Sequence, residues 1–273
     1  MNVREAAVAG YFYPATADQI EDEIESYKIG EQRKIEAFGA VVPHAGYKYS
    51  GRVAAQVYSR IIPKGSLILI GPNHGGGRGF EPPPKAAAME EGIWILPTGP
   101  AKVDSELAQS LLDECAILEN APSAHELEHS LEVQIPLLRH FVGIFDFVPI
   151  VVSHLSVDDV FALADGLIRG VEKYGKGVTV IASSDFSHYI PHKVAKEKDR
   201  MAIDAILAMD AKRLLNVVAK EGITMCGYQP TAVMLELCKS MGATKAELVD
   251  YKTSGDTSGD YSSVVGYGGL IIS

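Results

Sequence analysis

The chain has 273 residues, 47% hydrophobic and 22% charged, a composition that belongs to a folded globular protein and is long enough to bury a substantial core. A formal net charge of −10 argues against a nucleic-acid partner, which needs a field of Lys and Arg. Three cysteines, Cys115, Cys226 and Cys238, are too few for a disulfide framework, and no apolar run approaches the ~18 residues of a membrane span; a cytoplasmic protein without a targeting segment is expected.

In chain order, Thr16 and Gln19 have the spacing of a capping box, and Ile20, Ile24 and Tyr27 share one helical face ahead of Gly30. Ala40 to Val42 is a short apolar run ending at Pro43-His44. The spacing of Val53, Val57, Tyr58 and Ile61 predicts a helix over 51–62, stopped by Pro63. Leu67 to Ile70 reads as a buried strand ending in Gly71-Pro72-Asn73-His74, and 75–85 as a glycine- and proline-rich loop. Gly92 to Leu96 reads as a strand, Asp104 caps a helix through Leu112, and 126–141 is expected to be helical with Pro136 kinking it or marking a first turn. Phe145 to Val152 is a strand, and Ser156 caps a helix to Tyr174. Val178 to Ala182 is a strand ending in Ser183-Ser-Asp-Phe-Ser-His188. Two helices follow, and the basic cluster Lys193 to Arg200, with Glu197 and Asp199 inside it, reads as a solvated face. A helix from Pro230 to Lys239 follows Cys226-Gly227, and strands at 246–252 and 262–272 close the chain around the loop Thr253 to Asp260.

Alternating strands and helices predict an α/β fold, with a mixed central sheet and helices on both faces. No linker or composition break appears, so residues 1–273 are expected to form a single domain. His44, His74, His154 and the Asp185/His188 pair each fall just past an apolar run, where strand ends line the ligand crevice of an open α/β sheet. Cys226 stands before a helix start, where the positive end of the dipole favours a thiolate. Two imidazoles and a thiolate suit zinc, iron or copper.

Taken singly, each of these has a plainer reading. His154 and His192 read as surface or structural residues, and Cys115 and Cys238 as core packing. Asp185-Phe-Ser-His188 is either an acid/base pair or a local turn. His129 and Glu132, three apart, form either part of a site or a surface pair. Gly75-Gly-Gly-Arg-Gly79 lacks the features of a phosphate or dinucleotide loop, and Ser184, Asp185 and His188 lack a nucleophile elbow.

With those residues in place, the chain resembles the Memo family. The resemblance rests on Ala9-Gly-Tyr-Phe-Tyr-Pro14, Val42-Pro-His-Ala-Gly-Tyr-Lys-Tyr-Ser-Gly51, Leu69-Ile-Gly-Pro-Asn-His74, Glu128-His-Ser-Leu-Glu-Val-Gln134, Ser183-Ser-Asp-Phe-Ser-His-Tyr189 and Cys226-Gly227. It implies a fold like that of the class III non-haem iron extradiol dioxygenases. It also implies an iron, copper or zinc ion at His44, His74 and Cys226, with Asp185 and His188 as further pocket residues and His188 as acid/base. His129 and Glu132 belong to a family motif near that pocket. Cysteine at the third metal position, where the dioxygenases carry a carboxylate, speaks against ring cleavage.

Three functions follow as expectations. One is a metal-dependent redox or oxygen-using enzyme in which Asp185 holds His188. The second is a non-catalytic binder of a peptide or small molecule, walled by Tyr47 or Tyr49 and rimmed by Tyr11, Phe12 and Tyr13. The third is a hydrolase with Cys226 as nucleophile. For a prokaryotic member the resemblance also implies radical-SAM and AMMECR-type partners; the charge and the lack of a long apolar run lead us to expect neither a nucleic acid nor a membrane.

Overall fold

A computed structural model describes residues 2–75 and 84–273. Most of the loop expected over 75–85 lies outside them. Four parallel strands stand at the centre in the order Asp146–Val152, Ser66–Pro72, Val178–Ser183 and Gly39–Val42. Their near-continuous Val, Ile and Leu runs are buried throughout, as strands covered on both faces require. Gly266–Ile272 joins Gly39–Val42 antiparallel, and Ala246–Thr253 pairs antiparallel with Gly266–Ile272. On the other side Gly99–Val103, Ile93–Leu96 and Val3–Glu5 extend the sheet, which is therefore mixed.

Two glycines show how helices cover both faces. A Cβ on Gly39 would stand 2.6 Å from Cys238 Sγ and 3.0 Å from Met234 Sδ, in the helix Tyr228–Ser240. A Cβ on Gly269 would meet Val57 Cγ2 at 2.6 Å, in the helix Tyr47–Tyr58. Gly39 pairs with Ile272, and residues 269 and 272 project to opposite faces of their strand. The two helices therefore press on the sheet from opposite sides, each admitted by the absence of a side chain. Cys115 and Cys238 are both buried in this core.

Several local expectations give way to longer-range pairing. The helix expected over 51–62 runs Tyr47–Tyr58, because Ile61–Pro63 instead pairs with Ile35–Ala37. The helix expected over 126–141 is formed only as Gln134–Phe141, after a 3₁₀ turn at Pro122–His125; Pro136 lies in the first turn, where its missing N–H costs nothing. Residues 126–133 run as turns that send polar side chains inward. The loop 253–260 contains a helical turn, Gly255–Ser258. Asp199, read as part of a solvated face, is buried: its carboxylate accepts from the Ser187 N–H at 3.0 Å and the Tyr251 hydroxyl at 2.6 Å. Among the described residues no helix is long and apolar enough to cross a membrane.

Candidate functional site

The carboxyl ends of three adjacent parallel strands supply the floor of one cavity. His44 lies two residues beyond Gly39–Val42, His74 two beyond Ser66–Pro72, and Asp185 two beyond Val178–Ser183. Gly266–Ile272 runs antiparallel, so its amino end reaches the same edge and places Val265 in the wall. The cavity encloses about 620 Å³. Phe12, His129, Tyr49 and Tyr267 complete its inner walls, with Tyr189 and Asp260 towards the loop segments.

His44, His74 and His129 converge. One ring nitrogen of each lies within 4.8 Å of the other two. The His74 and His129 rings stack at 4.6 Å between centroids, and His44 meets both edge-on at 5.2 and 5.6 Å. Glu128, only 3% exposed, holds the group together. One carboxylate oxygen accepts from the backbone N–H of His74 and, at 3.3 Å, from that of Gly75. The other accepts from His74 Nδ1 at 3.0 Å and from the Ser130 amide at 2.8 Å, and lies 3.4 Å from His129 Nδ1. A carboxylate only accepts, so His74 Nδ1 carries a proton and Nε2 is the ring nitrogen turned away from Glu128. Burial alone would raise the Glu128 carboxyl, but the hydrogen bond and charge of His74, the charge of His129 and the Ser130 amide hold it down at about 2. Burial, then the neighbouring His74 and His129, keeps the buried His44 imidazole well below its usual range; burial lowers His129 as well.

Cys226 stands behind His44, its Sγ 3.3 Å from His44 Nε2 and outside the tight imidazole group. It accepts from the Asp185 amide at 3.3 Å. Gly227 makes this approach possible, because the start of the next helix packs on the strand end: a Cβ there would collide with the Ser183 carbonyl and stand 2.5 Å from Ser184 Cβ. Burial, followed by the charge of Asp185, pushes the Cys226 thiol up, so the helix N-terminus does not leave it as a thiolate on its own. With the thiol held up and the imidazole held down, the pair rests neutral, which gives the cysteine-hydrolase reading no support. Burial also raises the Asp185 carboxyl to about 6, against the hydrogen bonds it receives.

The expected pairing of Asp185 with His188 is replaced by two separate attachments. Asp185 Oδ1 accepts from the amides of His44 at 2.8 Å and Ala45 at 3.3 Å, fixing the turn that presents His44. His188 is held by Thr224: its amide donates to the Thr224 hydroxyl at 2.7 Å, and its Nδ1 donates to the Thr224 carbonyl at 2.8 Å. Nε2 is thereby its free nitrogen, and the ring lines the cavity.

Two other expected pocket residues lie elsewhere. Glu132 is fully buried below the cavity, accepting from the amides of Ala7 and Val8 at 2.8 and 3.0 Å and from the Tyr13 hydroxyl at 2.6 Å, with Arg4 Nη1 2.7 Å away. It anchors the N-terminal segment. Tyr47 is also buried, its hydroxyl donating to the Val133 carbonyl at 2.8 Å, and the wall position belongs to Tyr49. Of the rim candidates, Phe12 packs on His129 at 4.5 Å, Tyr11 is exposed, and Tyr13 is buried on Glu132. His154 is exposed, and His192 bonds Thr253 at 3.0 Å outside the site. The sequence reading missed Glu128, Ser183 and Gln134 as site-building residues, although all three lie in the quoted segments.

The donor set fits a metal ion. Two ligands on one tetrahedral ion, with bonds of about 2.0–2.3 Å, stand roughly 3.5 Å apart; His44 Nε2 and Cys226 Sγ stand at 3.3 Å. The carboxylate behind His74 is the usual backing for a metal-binding imidazole.

Fold and site together define an α/β protein with a histidine-rich, metal-compatible pocket at the carboxyl edge of its parallel strands. A family model described as Memo-like protein matches residues 4–271. MEMO1 family proteins of Methanopyrus kandleri, Pyrobaculum arsenaticum and Methanosarcina barkeri are similar at 37, 39 and 40% identity, over 98–99% of this chain and 98–100% of theirs. The chain belongs to the Memo family.

Proposed function

We propose that the pocket is a mononuclear metal centre held by His44, His74 and Cys226, serving a redox or oxygen-using reaction on a small molecule. The observation that carries this reading is the convergence of His44, His74 and His129 within 4.8 Å, with Cys226 Sγ 3.3 Å from His44 Nε2, at a strand edge that opens into a cavity of about 620 Å³. A thiolate among the ligands favours zinc, copper(I) or thiolate-bound iron over the two-His, one-carboxylate chemistry of ring-cleaving enzymes. Bound there, the ion supplies Lewis-acid polarisation or one-electron chemistry to a molecule in the cavity. His188, its Nδ1 committed to Thr224, accepts a proton at Nε2. His129 stacks on His74 at 4.6 Å, and Phe12 packs on His129 at 4.5 Å, so both rings bound that flank of the cavity.

Metal content measured after purification without oxygen tests this. Wild-type protein is expected to retain close to one ion per chain, and His44→Ala, His74→Ala and Cys226→Ser to lose it, with His154→Ala as a surface control. If Cys226→Ser keeps the ion and His129→Ala strips it, the ligand set is the three imidazoles and this assignment is wrong. If all variants match the wild type, there is no metal centre here.

A further inference from the structure

Beneath His44 lies a closed hydrogen-bond circuit that fixes which nitrogen of that ring is free. Ser183 Oγ touches three groups: Gln134 Nε2 at 2.8 Å, the Ser130 carbonyl at 2.6 Å and His44 Nδ1 at 2.9 Å. The Gln134 amide has one orientation available. Its NH₂ end must face the Pro43 carbonyl, 3.0 Å away, because a carbonyl only accepts. Its Oε1 then receives the Tyr58 hydroxyl at 2.8 Å, and its second N–H points at Ser183. The single Ser183 proton must lie towards the Ser130 carbonyl, since two lone pairs cannot face each other at that separation. Ser183 Oγ has no proton left for His44 and can only accept from it. Every member is buried, so water offers no alternative.

We infer that Gln134 and Ser183 are positioning residues that lock His44 as the Nδ1–H tautomer, presenting the Nε2 lone pair to Cys226 and the cavity. Metal capture by His44 rests on the ligand set proposed above; the lock itself does not. Tyr58 and Gln134 come from two helices on one face of the sheet, Ser183 from a central strand and Ser130 from the turn after Glu128. The circuit therefore also couples the strand bearing Asp185 to the segment bearing His129.

The test uses the full chain in two arms. In metal-free protein, nitrogen and proton NMR of the His44 ring reads the tautomer directly. Wild type is expected to show Nδ1 protonated and Nε2 bare. Ser183→Ala and Gln134→Met are expected to give mixed tautomers, and Ser183→Thr, which keeps the hydroxyl, to restore the wild-type pattern. In the second arm, Zn²⁺ titration is expected to weaken about 10–100-fold in Ser183→Ala, the usual effect of removing a ligand's hydrogen-bond partner, and to recover in Ser183→Thr. A merely structural role predicts that Ser183→Ala stays in the wild-type tautomer, or that alanine and threonine variants behave alike; either result overturns the inference. Wild type that shows the locked tautomer yet binds no Zn²⁺ refutes the metal centre and leaves the lock standing.

Discussion

Arg4 and Glu132 form a buried ion pair at 2.7 Å, with side chains 4% and 0% exposed, joining the first strand to the segment that carries Glu128 and His129. Arg4 also donates to the His125 carbonyl and the Glu128 carbonyl, each at 2.8 Å, and its guanidinium lies 4.0 Å over the Trp94 ring. Glu132 completes the clamp with two backbone amides and the Tyr13 hydroxyl. The N-terminal residues are thus part of the scaffold of the site, and Phe12 reaches the cavity because Tyr13 is fastened below it.

Glu132→Ala should cost about 3–5 kcal/mol, because it strands a buried guanidinium and two amides rather than only deleting a contact. Urea unfolding measures the loss, and an Arg4→Met, Glu132→Ala double variant should recover part of it through the coupling between the two sites. Strict additivity of the two single changes would show that the pair does not act as a unit.

Tyr47 and Tyr49 separate core from wall. Tyr47→Phe removes a buried hydroxyl that donates to the Val133 carbonyl and should lower stability by about 1 kcal/mol. Tyr49→Phe, at the half-open cavity wall, should stay within about 0.5 kcal/mol of wild type. Denaturant midpoints of the two variants decide it, and equal losses would contradict the assignment.

The positions of His44, His74 and Asp185 were legible because each follows an apolar run, and runs of that kind become parallel strands whose ends share an edge. Cys226 and the role of His188 came from the family resemblance. What local patterns did not reveal was the direction of Glu128, Glu132 and Gln134. Polar residues alternate with Leu131 and Val133 there, a pattern without helical period, and only the assembled sheet shows that these polar groups point inward to partners distant in sequence. Strands of three residues, such as Val3–Glu5 and Ala86–Ala88, are too short to carry a period and exist through their neighbours. Asp199 was misread for the same reason: its partners, Ser187 and Tyr251, come from other elements.

His125 gives the protein an acid-sensitive term. Burial, then the charge of Arg4, lowers its folded value from 6.5 to about 3. Below about 6.5 the unfolded chain takes up a proton that the folded chain refuses, so this residue withdraws stability as pH falls from about 6.5 towards 3. His125→Leu, which leaves the carbonyl bonded to Arg4 in place, should therefore lose less stability than wild type between about pH 7.5 and pH 4.5. Parallel losses in urea unfolding at the two pH values would remove His125 from the account.

Gly227→Ala addresses how Cys226 is held. The new methyl group has no room between the Ser183 carbonyl and Ser184 Cβ, and Gly227 N–H donates to the Ser184 hydroxyl at 2.9 Å. The start of the helix Tyr228–Ser240 must move away from the strand end and take Cys226 with it. Overpacking of this kind costs about 1–3 kcal/mol, so the variant should still fold. Cys226 should then react faster with a neutral alkylating reagent in metal-free protein than the half-buried wild-type thiol does, with the sites of modification located by peptide mapping. Cys115, in the core and outside that helix, serves as the internal reference and should keep its rate. A Cys226 rate unchanged in a variant that has lost stability would mean that the strain is absorbed along the helix instead, and that Gly227 does not set the distance between Cys226 and His44.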